Sequence, residues 1–130
     1  MEKPRRTKIV ISLLLISLGL SFQPMLIFAE EKPAVITWQE AGEHYNELVS
    51  VTGEVISTYK TENFYFLNFD ADHQNGFTIV IQSSAFDKFP ANIEKLYKNK
   101  KLIVHGKIVK FKNKLEIVVK DPAQIEFLGE

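Results

Sequence analysis

In "NFYFLNFDADHQNGFTIVIQ", residues 63–82, apolar and polar side chains alternate with a period of two on both sides of a turn-rich centre. Successive side chains of a strand point to opposite faces, so this run reads as two half-buried strands joined by a turn. Tyr65, Leu67 and Phe69 share one face of the first strand, while Phe64, Phe66, Asn68 and Asp70 share the other. The polar members mark the second face as the wet one. In the second strand Phe77, Ile79 and Ile81 point one way, and Thr78, Val80 and Gln82 the other. The rings therefore divide. Tyr65, Phe69 and Phe77 are expected in the core, and Phe64 and Phe66 are expected to face outward.

The same period recurs along the chain. "VSVTGEVISTY" sets Val49, Val51 and Val55 on one face with Gly53 between them. "KLIVHGKIVKF" and "KLEIVVKD" form a hairpin about Lys112–Asn113, again with a mid-strand glycine, Gly106, and "QIEFL" alternates as a short closing strand. A glycine inside a strand marks a bulge or a bend. Two stretches depart from period two. "TWQEAGEHYNEL" has Thr37 and Glu40 at capping-box spacing and Trp38, Ala41 and Tyr45 on one helical face, with Gly42 limiting its stability. "SSAFDKFPANIEKLYKN" reads as one or two helical turns, with Ser84 able to cap, Pro90 interrupting, and Ile93, Leu96 and Tyr97 as an apolar stripe. The order is three strands, a short helix, then two strands, with a short helix at the amino-terminal end. That is an all-β chain of five strands, matching the Greek-key barrel called the OB-fold.

The first residues belong to no such fold. "MEKPRRTK" is basic, residues 9–20 are an apolar block, and "SFQPMLIFA" ends on a small residue at Ala29. Positive start, short apolar centre and small-residue exit are the pattern of a secretory signal, residues 1–29. The alternative is an uncleaved anchor, because residues 9–29 are about long enough to span a bilayer. Membrane contact is expected only in that case. Either way the domain is expected to be exported, periplasmic or secreted. Residues 30–35 are a polar lead-in and residues 36–130 the domain. A domain of about one hundred residues buries roughly two-thirds of the surface of its unfolded chain, so one core suffices. There is no cysteine, so no disulfide supports it. From residue 30 onward 12 lysines face 15 acidic residues, a net charge of −3. A case for a polyanionic ligand must therefore rest on local charge.

Local charge is concentrated in "KIVKFKNKLEIVVK", which carries Lys107, Lys110, Phe111, Lys112 and Lys114. In an OB-fold the loop between the last two strands and the outer face of the second and third strands hold oligonucleotides. Candidate ligand contacts are thus Phe64, Phe66, Thr78, Val80 and Gln82 on the sheet and those four lysines with Phe111 on the hairpin. Rings accept bases and cations follow phosphate. The plainer readings are that loops cover the rings, or that the lysines keep a strand edge soluble. Residues 30–130 contain no arginine, so no bidentate phosphate clamp is available and binding should be weak, salt-sensitive and indifferent to sequence. "DADHQNG" departs from the calcium-loop spacing and has Gln82 where the bidentate glutamate would stand, so it reads as a turn. His44, His73 and His105 lie in separate elements without ligand spacing. No nucleophile motif, phosphate-cradling glycine loop or evident carboxylate pair is present. A non-enzyme without cofactor or metal is expected.

"ITWQEAGEHYNELVSVTGEV", "FYFLNFD", "FPANIEKLYKNKKLIVHGKI" and "KLEIVVKDPAQIEF" together resemble the small bacterial OB-fold nucleic-acid-binding domain of the anticodon-binding-like group. The resemblance spans residues 36–127 and departs from the family at Asn99 and Asn113, where glycine is usual, and in carrying an export signal. It implies single-stranded nucleic acid, or a similar extended anion, as ligand. A second likeness, to periplasmic OB-fold proteins that bind small cationic or cell-envelope ligands, implies instead a protein- or envelope-interaction module with no nucleic-acid role.

Overall fold

The computed structural model describes residues 32–72, 75–90 and 92–129. The expected signal or anchor, residues 1–29, lies outside the described residues, as does His73. No helix among the described residues is long and apolar enough to cross a membrane.

Among the described residues nine strands form two sheets. The first sheet holds β1 (Val35–Thr37), β2 (Leu48–Glu54), β6 (Lys101–Lys107) and β9 (Ile125–Phe127), in that spatial order. The second holds β3 (Ser57–Lys60), β4 (Phe64–Asn68), β5 (Phe77–Gln82), β8 (Lys114–Val119) and β7 (Val109–Phe111). Five strands were expected. The larger number arises because two long runs each change sheet at a bend. β2 and β3 are separated only by Val55 and Ile56, and β6 and β7 only by Ile108. The side chains of Val55 and Ile108 are fully buried. Their backbone groups are not stranded, since Val55 N–H donates to the Lys100 carbonyl at 3.0 Å and Ile108 N–H to that of Glu47 at 3.1 Å. β1 was not anticipated. It is three residues long and pairs in parallel with β2, too short to show a period.

Gly53 and Gly106 each precede one of these bends by two residues, and they serve close approach rather than the bend itself. A Cβ on Gly106 would stand 2.6 Å from Ile117 Cγ2, and one on Gly53 would enter the ring of Phe69. The hairpin between β7 and β8 turns on Lys112 and Asn113, both left-handed at φ 51° and 65°. That is the backbone a two-residue hairpin of the right-handed sheet twist requires, and asparagine tolerates it in place of glycine.

The core collects Val49, Val51, Leu67, Phe69, Phe77, Ile79, Ile81, Leu102, Val104, Ile117 and Val119, all buried. Tyr65 is a correction. It was expected among them but is half-buried near the strand end, edge-on to Phe86 at 4.9 Å. The expected amino-terminal helix is a 3-10 segment, Trp38–His44, whose start is held by Thr37 N–H donating to Glu40 Oε1 at 2.9 Å. The expected turns after β5 are a 3-10 segment, Ser83–Lys88, and one α-helix, α1 (Ile93–Tyr97). The cap of α1 is Asn92 rather than Ser84, its side chain accepting from Lys95 N–H at 3.2 Å.

Candidate binding groove on the second sheet

Strand register assembles the outer face of the second sheet. Tyr59, Phe66, Val80 and Val118 are cross-strand neighbours in one row over β3, β4, β5 and β8. Ser57, Asn68, Thr78, Glu116 and Val109 make the next row. Phe64 opposite Gln82 lies on one side of these rows, and Phe111 opposite Lys114 on the other. Three adjoining hollows of about 510, 530 and 350 Å³ open over this face. Phe66 lines all three, and Lys114 and Glu116 line two each. The result is a groove with an aromatic strip on one wall. Tyr59 stacks on Phe66 with centroids 6.0 Å apart, and Phe66 lies 5.7 Å from Phe64. The other wall is the β7–β8 hairpin, with Phe111 59% exposed and Lys112 Nζ 5.4 Å from the Phe111 ring centroid.

The polar row beneath the rings is ordered by its hydroxyl protons. Thr78 Oγ1 donates to Asn68 Oδ1 at 2.8 Å, and Asn68 Nδ2 donates to Ser57 Oγ at 3.2 Å. A threonine hydroxyl has one proton, and this one is spent on Asn68. The donors therefore run away from Glu116, the next member of the row. Glu116 is only 8% exposed, and its carboxylate has no hydrogen bond or ion pair among the described residues. Burial pushes its pKa above the usual glutamate value, against the pull of Lys114. Burial in turn lowers the pKa of Lys114, against Glu116 and Asp72.

Of the residues singled out from sequence, the groove brings together Phe64, Phe66, Val80, Gln82, Lys110, Phe111, Lys112 and Lys114. Four need correction. Phe64 and Phe66 are half-buried rather than solvent-facing, because they lie against one another and Tyr59 stacks on Phe66. Thr78 is sealed beneath the face, engaged with Asn68, and cannot meet a ligand. Lys107 is elsewhere, paired with Leu48 at the end of the first sheet, because the bend at Ile108 carries the chain out of the second. Lys110 borders the groove, but its Nζ lies 5.0 Å from the ring centroid of Tyr45. Sequence reasoning missed Tyr59, 61% exposed, which shares its face with Ser57 beyond the first bend. It also missed Glu116, which alternates with Leu115 and Ile117 in "KLEIVV".

His105 has company that no spacing revealed. Its Nδ1 lies 2.7 Å from Ser50 Oγ and its Nε2 2.8 Å from Glu126 Oε2. A serine, an imidazole and a carboxylate in series are the parts of an acyl-transfer triad. Here Ser50 is only 3% exposed, in the middle of β2 and bonded through its N–H to the Ala34 carbonyl just before β1, so no substrate carbonyl can reach its oxygen as it stands. The series is a cross-strand tie of the first sheet. Among the described residues no group of three His, Asp or Glu could hold a metal ion.

A mostly β chain with two bent runs and a groove across one sheet face is OB-fold-like. Known structures agree on the fold. A protein described as an aspartyl-tRNA synthetase from Leishmania major Friedlin matches with a TM-score of 0.53 and 15% identity, over 90% of this chain and 26% of that one. Entamoeba histolytica asparaginyl-tRNA synthetase, in complex with asparaginyl-adenylate, matches with a TM-score of 0.53 and 18% identity, over 78% and 25%. The chain thus spans about a quarter of the length of either, and at these identities the likeness is one of fold. No family model and no curated protein matches the chain.

Proposed function

We propose that this chain is an exported binding module that holds single-stranded nucleic acid, weakly, in the groove on its second sheet. The two sheets are then one five-stranded OB barrel, in which β2 with β3 forms the first strand, β4 and β5 the second and third, β6 with β7 the fourth, and β8 the fifth. The observation that carries the reading is the groove itself: a strip of aromatic rings on one wall and a lysine-bearing hairpin on the other. Bases have π-faces of one kind, so a strip of rings accepts them in any order, while Lys112 and Lys114 neutralise phosphate. That the two fold neighbours described above are tRNA synthetases supports a nucleic-acid ligand. Export rests on the basic, apolar, small-residue order of residues 1–29. The module binds and does not catalyse.

Fluorescence anisotropy of a labelled oligothymidylate, titrated with the full chain at low and high salt, tests it. Saturation at micromolar protein that weakens as salt rises is expected. No change at tens of micromolar in low salt would discard the reading in favour of a protein- or envelope-interaction module.

A further inference from the structure

Among the described residues Glu116 is the one acidic residue lining the three hollows, and the proposed function does not use it. A carboxylate on a residue only 8% exposed costs free energy unless hydrogen bonds satisfy its oxygens. Within the described residues nothing does so, and the neighbouring hydroxyl and amide donate in the opposite direction. Glu116 lines two hollows with Phe66, where a base resting on that ring would bring an edge within reach. We propose that Glu116 reads the Watson–Crick edge of one base in the bound strand and prefers guanine there.

The preference follows from donor arithmetic. An ionised carboxylate offers two parallel acceptors and no donor. Guanine alone presents two adjacent donors on that edge, N1–H and the N2 amine, a fit of the same fork-to-carboxylate kind that arginine makes. Thymine flanks its single N3–H with two carbonyls that the carboxylate repels. Cytosine and adenine each set one amine beside an acceptor lone pair. These edges are free only in a single strand, which is the ligand form already proposed. A small organic cation would also suit a carboxylate among rings, but Lys112 and Lys114 on the same wall repel it and favour a ligand that brings its own phosphates.

The inference rests on the proposed function, and one experiment separates their failures. Three labelled oligothymidylates of about ten nucleotides, within the usual site size, are titrated with the full chain: one unmodified, one with a single central guanine, one with hypoxanthine in its place. The guanine strand should bind about tenfold tighter than the unmodified strand, the scale of one good bidentate contact. Hypoxanthine keeps N1–H but lacks the amine, so it should fall between them. Glu116→Gln should abolish the guanine preference, bringing the affinities of the three strands to within about twofold of one another. Equal binding of all three strands by the wild type overturns the inference and leaves the proposed function standing, and that comparison needs no variant to fold. A guanine preference that survives in Glu116→Gln overturns it too. Failure of every strand to bind overturns both.

Discussion

Phe66 and Leu67 are adjacent on β4, and replacing each by alanine should give opposite phenotypes. Leu67 is fully buried in the core. Its truncation should cost about 2–5 kcal/mol, the transfer free energy of the lost methyl groups plus the cavity they leave. For a domain of this size that corresponds to a fall in Tm of about 4–8 °C per kcal/mol. Phe66 is half-buried, so its truncation removes about half the burial of a phenyl ring, about 1 kcal/mol. It also removes the residue common to all three hollows. Stacking on such a ring contributes roughly 1–3 kcal/mol per base, so affinity for an oligothymidylate should drop about 5- to 150-fold. Thermal unfolding by circular dichroism gives the first quantity, and anisotropy titration in the cold, where Leu67→Ala is still folded, gives the second. If both variants lose affinity and stability in the same proportion, the ring is part of the core and the groove is not a binding surface.

The remaining expectations concern charge, packing and pH. Lys112→Gln with Lys114→Gln should lower the slope of log K against log salt by about 1.4, some 0.7 for each single-strand phosphate contact, whereas Lys107→Gln should leave it unchanged, since Lys107 sits on the other sheet. Gly106→Ala should destabilise by about 1–3 kcal/mol in urea titration, because the new Cβ meets Ile117 Cγ2 at 2.6 Å. Gly42→Ala, whose nearest outside atom is 3.8 Å away and whose φ is not left-handed, should instead gain about 0.4–1 kcal/mol. Glu116 has a folded-state pKa raised above 4.5 by burial, so the folded chain holds that proton more tightly than the unfolded one. Its contribution to stability is complete below pH 4.5 and is lost as pH rises through the folded value. Urea midpoints measured from pH 4 upward should therefore show Glu116→Gln gaining on the wild type as pH rises, and a constant difference between the two would contradict the burial of that carboxylate.

How far the groove could be read in advance depended on which residues were asked to speak for others. Period two gave the face of each side chain within one strand correctly for Leu67, Phe69, Phe77, Ile79 and Ile81, because that parity is a local property of extended backbone. It could not say how wet the opposite face would be. That depends on which strand lies alongside, and Tyr59, brought beside Phe66 by β3, comes from beyond a bend. Lys107 was misplaced for the same reason. The parity counted from "KLIVHGK" stops at Ile108, where the run changes sheet, and Val109 and Phe111 face the groove while Lys110 turns toward Tyr45.

Thr78 and Glu116 show a second gap between alternation and exposure. A polar residue on an outward parity is solvated only if that face is flat or convex. Here the face lies between an aromatic wall and a hairpin wall, and Asn68, Thr78 and Glu116 of its central row are buried. Such a row must satisfy its own polar groups, and it does so from Thr78 through Asn68 to Ser57. Among the described residues, Glu116 at the end of the row is left over. A purely structural row would be cheaper to end with an apolar side chain, as the row beside it ends with Val118. A buried carboxylate held at the floor of an open groove, at a cost to stability, is what a site for a donor-bearing ligand requires and what a scaffold does not.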